Sequence, residues 1–495
     1  MTTEPAQPTR PAAPPDDVLA PVSAPPGDVL APLPTPLPDL LTALPSSLPG
    51  VERRAVLPAG FAAGATTCGI KASGRPDLAV IRTTGAPASA AAVFTTNQVV
   101  AAPVHASRAN LAITRPEGRG DGSDHFGRAQ AIVATSGSAN AATGLAGLAD
   151  QAAIAQAVAV HFGVDPLGVL SLSTGVIGTR LPVEKVAVGI VSLASGGLPT
   201  TDDGFLAAAE ALRTTDSVAK MAATQVDLPG TDGRAVTLTV AGIAKGVGMI
   251  HPRMATMLAV VLTDAAVDPA TLHGLLRAAT VRTWNQLSVD GDTSTNDTVF
   301  LLASGASVAA PVLPDTIEAA ILGGAIEAVA RSLARQQAAD GEGATTLITC
   351  QVSGARDDVD GRAVARAVIS SSLVKAAAHG RDPNWGRIAG AAGNARLGEV
   401  RLLETAGLAH ADACARAGAP AFVDPDRLRI AIAGHLVYDG PAGGPAAFDR
   451  PATRIAMAGP EILVRLDLGL GAGTGEAFGC DLTEQYVIEN AEYTT

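Results

Sequence analysis

Aromatic side chains are scarce: Phe, Tyr and Trp make up 3% of the 495 residues. No base-stacking set can be assembled from so few rings, and the core must be built from Ala, Val, Leu and Ile. Positive charge is also short, with 35 Lys and Arg against 47 Asp and Glu and a net charge of −12. No basic run concentrates what there is, which argues against nucleic acid as a partner. The four cysteines, Cys68, Cys350, Cys414 and Cys480, are scattered and lack CxxC spacing. They suit reduced thiols in a cytoplasmic protein better than a disulfide framework or a zinc site. No apolar run reaches the roughly 18 residues of a membrane span, and the N-terminus lacks the basic and apolar regions of a secretory signal.

Familiar catalytic signatures are missing too. "GLGAGTGEAFG" (469–479) has no register of G-x-G-x-x-G, and "AKGVGM" (244–249) lacks the Lys-Ser/Thr of a phosphate loop. There is no G-x-S-x-G elbow and no HExxH. "SVDGDTSTNDT" (288–298) has three aspartates but not the final Glu of a calcium loop, so it reads as a hydrogen-bonded scaffold. No metal and no cofactor is expected.

What is present is aliphatic. Hydrophobic residues make up 47% of the chain, a composition suited to strands buried on both faces and Ala-rich helices against them. Fourteen of the 34 prolines fall in the first 50 residues, where "DVLAP" occurs twice. Residues 1–55 therefore read as a disordered, semi-rigid tail. Beyond it, strands are expected at 78–82, 91–96, 128–137, 168–178 and 235–246, and helices at 148–163, 203–215 and 268–287. A long helix follows "TIEAA", and later come a strand "TTLITCQVSGA", a helix "DGRAVARAVISSSLVKAAAHG" and strands "RLRIAIAGHLVYDG" and "EILVRLDLG". Some strands succeed one another by short turns, which favours an α/β or α+β body with mixed sheets.

One junction stands apart. "AKGVGMIHPRMATMLAVVLT" passes from glycines and a lysine, across a proline, into an apolar run. Read locally, Thr256 is an ordinary hydroxyl at a strand start. Read chemically, it is a nucleophile in waiting. A threonine hydroxyl needs a base, and an N-terminal threonine can use its own α-amine. That requires the chain to be cut between Ala255 and Thr256.

Nine blocks favour the second reading: "GIKASGRPDLAV", "VFTTNQVVAAPV", "SGSANAATG", "STGVIGTRLP", "TTDSVAK", "AKGVGMIHPRMATML", "VDGDTSTNDTV", "DPNWGRI" and "GCDLTEQYVIENAEYTT". In this order they closely resemble the ornithine acetyltransferase (glutamate N-acetyltransferase) family of arginine biosynthesis. The departures, at Ser138, Ala142 and Val247, touch no implied role. The resemblance implies a two-part α/β sandwich and a precursor that cuts itself into an α-chain (56–255) and a β-chain (256–495), assembled as α2β2. It implies Thr256 as nucleophile, Thr174 and Gly175 as the oxyanion hole, and Thr214, Lys245, Thr256, Glu342, Asn490 and Thr495 as substrate-binding residues. The implied substrates are N2-acetylornithine and glutamate, with acetyl-CoA a second donor in some relatives. The implied roles suit the chemistry: an amino-acid carboxylate needs a cation such as Lys245, and an ornithine ammonium needs a carboxylate such as Glu342. A self-processing amidohydrolase, with water as acceptor, would use the same threonine chemistry.

Overall fold

The computed structural model describes residues 48–116, 125–251 and 257–491. The tail to residue 47, part of the insertion near 120, Ala255, Thr256 and Thr495 lie outside the described residues. The body begins ahead of the expected boundary at 56, because Glu52 already pairs with Ala223 and Thr224 Oγ1 donates to the Gly50 carbonyl.

Three mixed sheets carry the fold. The first has order β1-β2-β5-β6, formed by Phe61–Thr66, Leu78–Thr83, Ala131–Ser138 and Val169–Val176. The second has order β4-β3-β11-β9-β8-β7, with β3 Ala88–Phe94, β4 Phe126–Ala129, β7 Lys220–Pro229, β8 Ala235–Lys245, β9 Leu258–Thr263 and β11 Thr298–Ala303. The third has order β10-β17-β12-β16-β13-β14-β15. Its strands are β10 Leu287–Ser288, β12 Leu347–Ala355, β13 Arg429–Ile432, β14 His435–Asp439, β15 Gly444–Pro445, β16 Glu461–Asp467 and β17 Gly473–Cys480.

The layering follows from aliphatic strands with two buried faces. In β9, Leu258, Val260 and Leu262 pack toward the first sheet, while Ala259 and Val261 pack on the opposite side. Between the first two sheets lie the helices Ala102–Ile113 and Asp202–Leu212, which contribute Val104, Leu111, Phe205 and Leu212 to that core. Behind the second sheet are Pro269–Arg282 and Ile317–Ala339, and the helix Asp358–Ser370 covers β12 and β17. The helix Gly144–Phe162 is long and apolar enough to cross a membrane by length and composition, the one such helix among the described residues. Its inner face packs on the first sheet and on the helix Val183–Gly196, with Asp150 paired to Arg180.

The second sheet crosses the expected cut. β8 ends at Lys245, β9 begins at Leu258, and the two pair antiparallel with Lys245 opposite Leu258. β9 then pairs parallel with β11. Strands on either side of residues 255 and 256 thus share one hydrogen-bonded ladder and one core.

Several elements differ from the sequence expectation. The strand read through "RLRIAIAGHLVYDG" is a hairpin, turned at Ala433 and Gly434, both with positive φ. The helix read through "DGRAVARAVISSSLVKAAAHG" breaks at Ser371, whose side chain caps a second helix, Ser372–His379. The helix expected to run to 287 ends at Arg282, followed by a 3₁₀ turn.

Candidate active site

One cavity of about 370 Å³ gathers Thr174, Gly175, Thr214, Lys245, Glu342 and Asn490. These residues come from five separate stretches of chain, and all six were expected at the site. Met257, which follows Thr256 in the sequence, lines the same cavity.

Thr174 and Gly175 lie just before the end of β6 at Val176. Gly175 has φ +127, and a Cβ there would stand 2.3 Å from the Gly137 carbonyl carbon on the neighbouring strand. A larger residue would therefore push β6 away from β5. Lys245, buried at the end of β8, donates from Nζ to Thr174 Oγ1 over 3.0 Å. That bond occupies a lone pair of the hydroxyl and leaves its proton for another acceptor. The Lys245 carbonyl is fixed from behind, since Gln337 Nε2 donates to it over 2.8 Å and Trp284 Nε1 donates to Gln337 over 3.0 Å. Burial lowers the Lys245 pKa from the usual lysine range, against the opposing charges of Asp216 and Glu342.

Glu342 sits in a shaped seat. Thr215 Oγ1 donates to one carboxylate oxygen and Asn490 Nδ2 to the other, each over 2.9 Å. Gly248 forms the floor: a Cβ there would lie 2.1 Å from Glu342 Oε2. The helix Glu484–Ala491 brings Asn490 in, anchored where Thr483 Oγ1 donates to the Gly343 carbonyl over 2.7 Å. Below this seat, buried Lys220 pairs with Asp216 at 2.6 Å and with Asp340, which ties the Thr214 loop to the Glu342 loop. Burial opposes ionisation of Asp216. The charges of Lys245 and Lys220, with the Gly246 N–H at 2.8 Å, nevertheless hold its carboxyl below the ordinary range.

The aspartate-rich loop is a scaffold in the sense expected from its composition. Asp290 accepts from the Met249 and Ile250 N–H groups, and Asp297 Oδ1 accepts from the Met257 N–H over 2.7 Å. The two carboxylates thus hold the chain on both flanks of residues 252–256. Asn296 Nδ2 reaches the Ala139 and Ser173 carbonyls at 2.7 and 2.9 Å, which joins this loop to the oxyanion strand. Burial raises the pKa of Asp297 well above its usual value and that of Asp290 above it; backbone N–H bonds oppose both shifts. Thr215, Asp216, Asp290, Asn296 and Asp297 had no assigned roles from sequence. For Thr215 and Asp216 the signal was membership in the block "TTDSVAK", and for the others the scaffold composition of residues 288–298.

Mixed sheets flanked by helices define an α/β protein, and its cavity brings together a buried lysine and a braced carboxylate. The ArgJ family profile matches residues 62–495. The arginine biosynthesis bifunctional protein ArgJ of Thermosynechococcus vestitus is 43% identical over 451 residues, covering 88% of this chain and 96% of the relative. That of Thermus thermophilus is 42% identical over 439 residues, covering 89% and 99%. The chain belongs to the ArgJ family. Among solved structures, the arginine biosynthesis bifunctional protein argJ of Bacillus halodurans is 35% identical with a TM-score of 0.40, covering 47% of this chain and 98% of that one. The ornithine acetyltransferase of Mycobacterium tuberculosis complexed with ornithine is 36% identical with a TM-score of 0.35, covering 41% and 97%.

Proposed function

We propose that this protein is a self-cleaving glutamate N-acetyltransferase of arginine biosynthesis, moving acetyl from N2-acetylornithine to glutamate through an acetyl-Thr256 intermediate. The observation that carries this reading is the convergence of Thr174, Gly175, Thr214, Lys245, Glu342 and Asn490 on one cavity that Met257 also lines. Cleavage between Ala255 and Thr256 releases the α-amine of Thr256, which serves as base for its own hydroxyl. The hydroxyl attacks the acetyl carbonyl, and donors at Thr174 and Gly175 stabilise the oxyanion, a contribution of about 3 kcal/mol per donor. The amide C–N bond breaks, its nitrogen takes the proton, and ornithine leaves. The glutamate amine then attacks the acetyl ester and regenerates the threonine. Lys245 receives the amino-acid carboxylate and Glu342 the ornithine ammonium, with Thr214 and Thr495 completing the binding set. No cofactor takes part in these steps.

We further assign the products to an α2β2 assembly in the cytoplasm; N-acetylglutamate formed from acetyl-CoA and glutamate would add acetyl-CoA as a second donor. The ladder between β8 and β9 supports α- and β-chains that stay folded together.

The test is ornithine release from N2-acetylornithine with and without glutamate. Release that requires glutamate and yields N-acetylglutamate supports the transferase. Equal release without glutamate, accompanied by free acetate, would make the protein an amidohydrolase.

A further inference from the structure

A cavity of about 820 Å³ lies apart from the one just described. Its wall includes Arg362, Arg366, Arg387 and Arg396, with Asn285 and Gln286, and no aspartate or glutamate among the described residues. The helix Asp358–Ser370 sets Arg362 and Arg366 four residues apart on one face. Arg387 lies in the first turn of the helix Trp385–Gly393, within the "DPNWGRI" block that the catalytic reading leaves unused.

Arg362 stands between this cavity and a neighbouring one lined by Glu327, Asp358 and Glu476, and it pairs with the more exposed Asp358 at 3.7 Å.

A second observation is independent of charge. Gln286 is 7% exposed and its Nε2 donates to the Val281 carbonyl over 3.1 Å, yet its Oε1 is buried without a partner. Asn285 Oδ1 is likewise buried and unsatisfied. Orphaned acceptors of this kind cost free energy until a donor arrives.

We propose that this cavity binds a small, multiply anionic molecule, phosphate- or carboxylate-bearing, whose hydroxyl or N–H groups donate to Asn285 and Gln286. Paired guanidinium forks suit either anion, since each binds two oxygens at once. Burial around Arg362, which lowers its pKa, is relieved by an anion in the cavity. The site is close in sequence to the cut: Gly248 and Met249 line the catalytic cavity and His251 lines this one. The proposal does not rest on acetyl transfer, and its test reads binding.

Titration calorimetry on the purified full chain, with pyrophosphate and with citrate, tests it. Saturable binding of either probe, weakening as salt is added, supports the site. Pyrophosphate alone marks a phosphate ligand, and citrate alone a polycarboxylate. Arg362→Gln with Arg366→Gln should weaken binding by about tenfold or more per guanidinium. Lys245→Met, in the other cavity, should leave it intact. Should the double variant fail to fold, phenylglyoxal labelling of the wild type decides, with Arg362, Arg366 and Arg387 protected by the bound probe. No saturable binding, no protection, or binding lost in Lys245→Met would overturn the proposal.

Discussion

Glu342 shows how much of the site depends on single atoms. Its carboxylate is held by Thr215 and Asn490, and it clears Gly248 only because that residue has no Cβ. Gly248→Ala should therefore displace the carboxylate. We expect KM for N2-acetylornithine to rise by about tenfold or more, the value of a charged hydrogen bond, while chain cleavage proceeds. Unchanged KM would mean that Glu342 does not receive the substrate ammonium. Lys245 and Glu342 were legible only through the family resemblance, which their charges then suited, since they answer the charges of an amino acid. Thr215 was not, although it sits beside Thr214, because its partner lies 127 residues away. Asp216 was missed because, although Lys220 lies four residues on, Lys245 and the Gly246 N–H reach it only through folding.

At the scale of elements, the loop 288–297 binds both flanks of the undescribed stretch 252–256 through Asp290 and Asp297. Its composition marked it as a hydrogen-bonded scaffold, while the segment it holds could not be read from composition. Buried Asp297 has a folded pKa raised well above its ordinary 3.8. Its contribution to stability is fully present below that value and is lost as pH rises through the folded pKa. Asp297→Asn should flatten this fall, by up to ~1.4 kcal/mol per pH unit across the window. Asp290, shifted in the same direction, keeps part of the slope. Urea midpoints of both proteins from about pH 4 to pH 7 check it, and identical slopes would contradict it. Strands such as β2 and β9 were legible from continuous apolar runs. The helix Ala102–Ile113 was not, because Pro103 reads as a breaker; in the first turn its missing N–H costs nothing. The turn at Ala433 and Gly434 escaped notice because it lacks the Asn-Gly or Asp-Gly of an ordinary two-residue hairpin loop.

At the scale of the whole molecule, the last described helix completes the site. The helix Glu484–Ala491 carries Asn490 to Glu342, and Thr495 follows four residues beyond that helix. A tag fused at the C-terminus should therefore impair activity, and the same tag at residue 1 should not. Equal activity of the two fusions would remove Thr495 from the site. The overall class was legible because alternation and composition report two-sided burial directly. The stacking of the sheets was not, since it depends on residues distant in sequence, such as Val104, Phe205 and Val260, meeting in one core. The central claim is that Thr256 becomes the first residue of a second chain. Intact mass of the purified protein beside Thr256→Ala tests it most directly. We predict two wild-type chains divided between Ala255 and Thr256, and one inactive, uncut chain in the variant. A single active chain in the wild type, or a variant cut at the same bond, would contradict it.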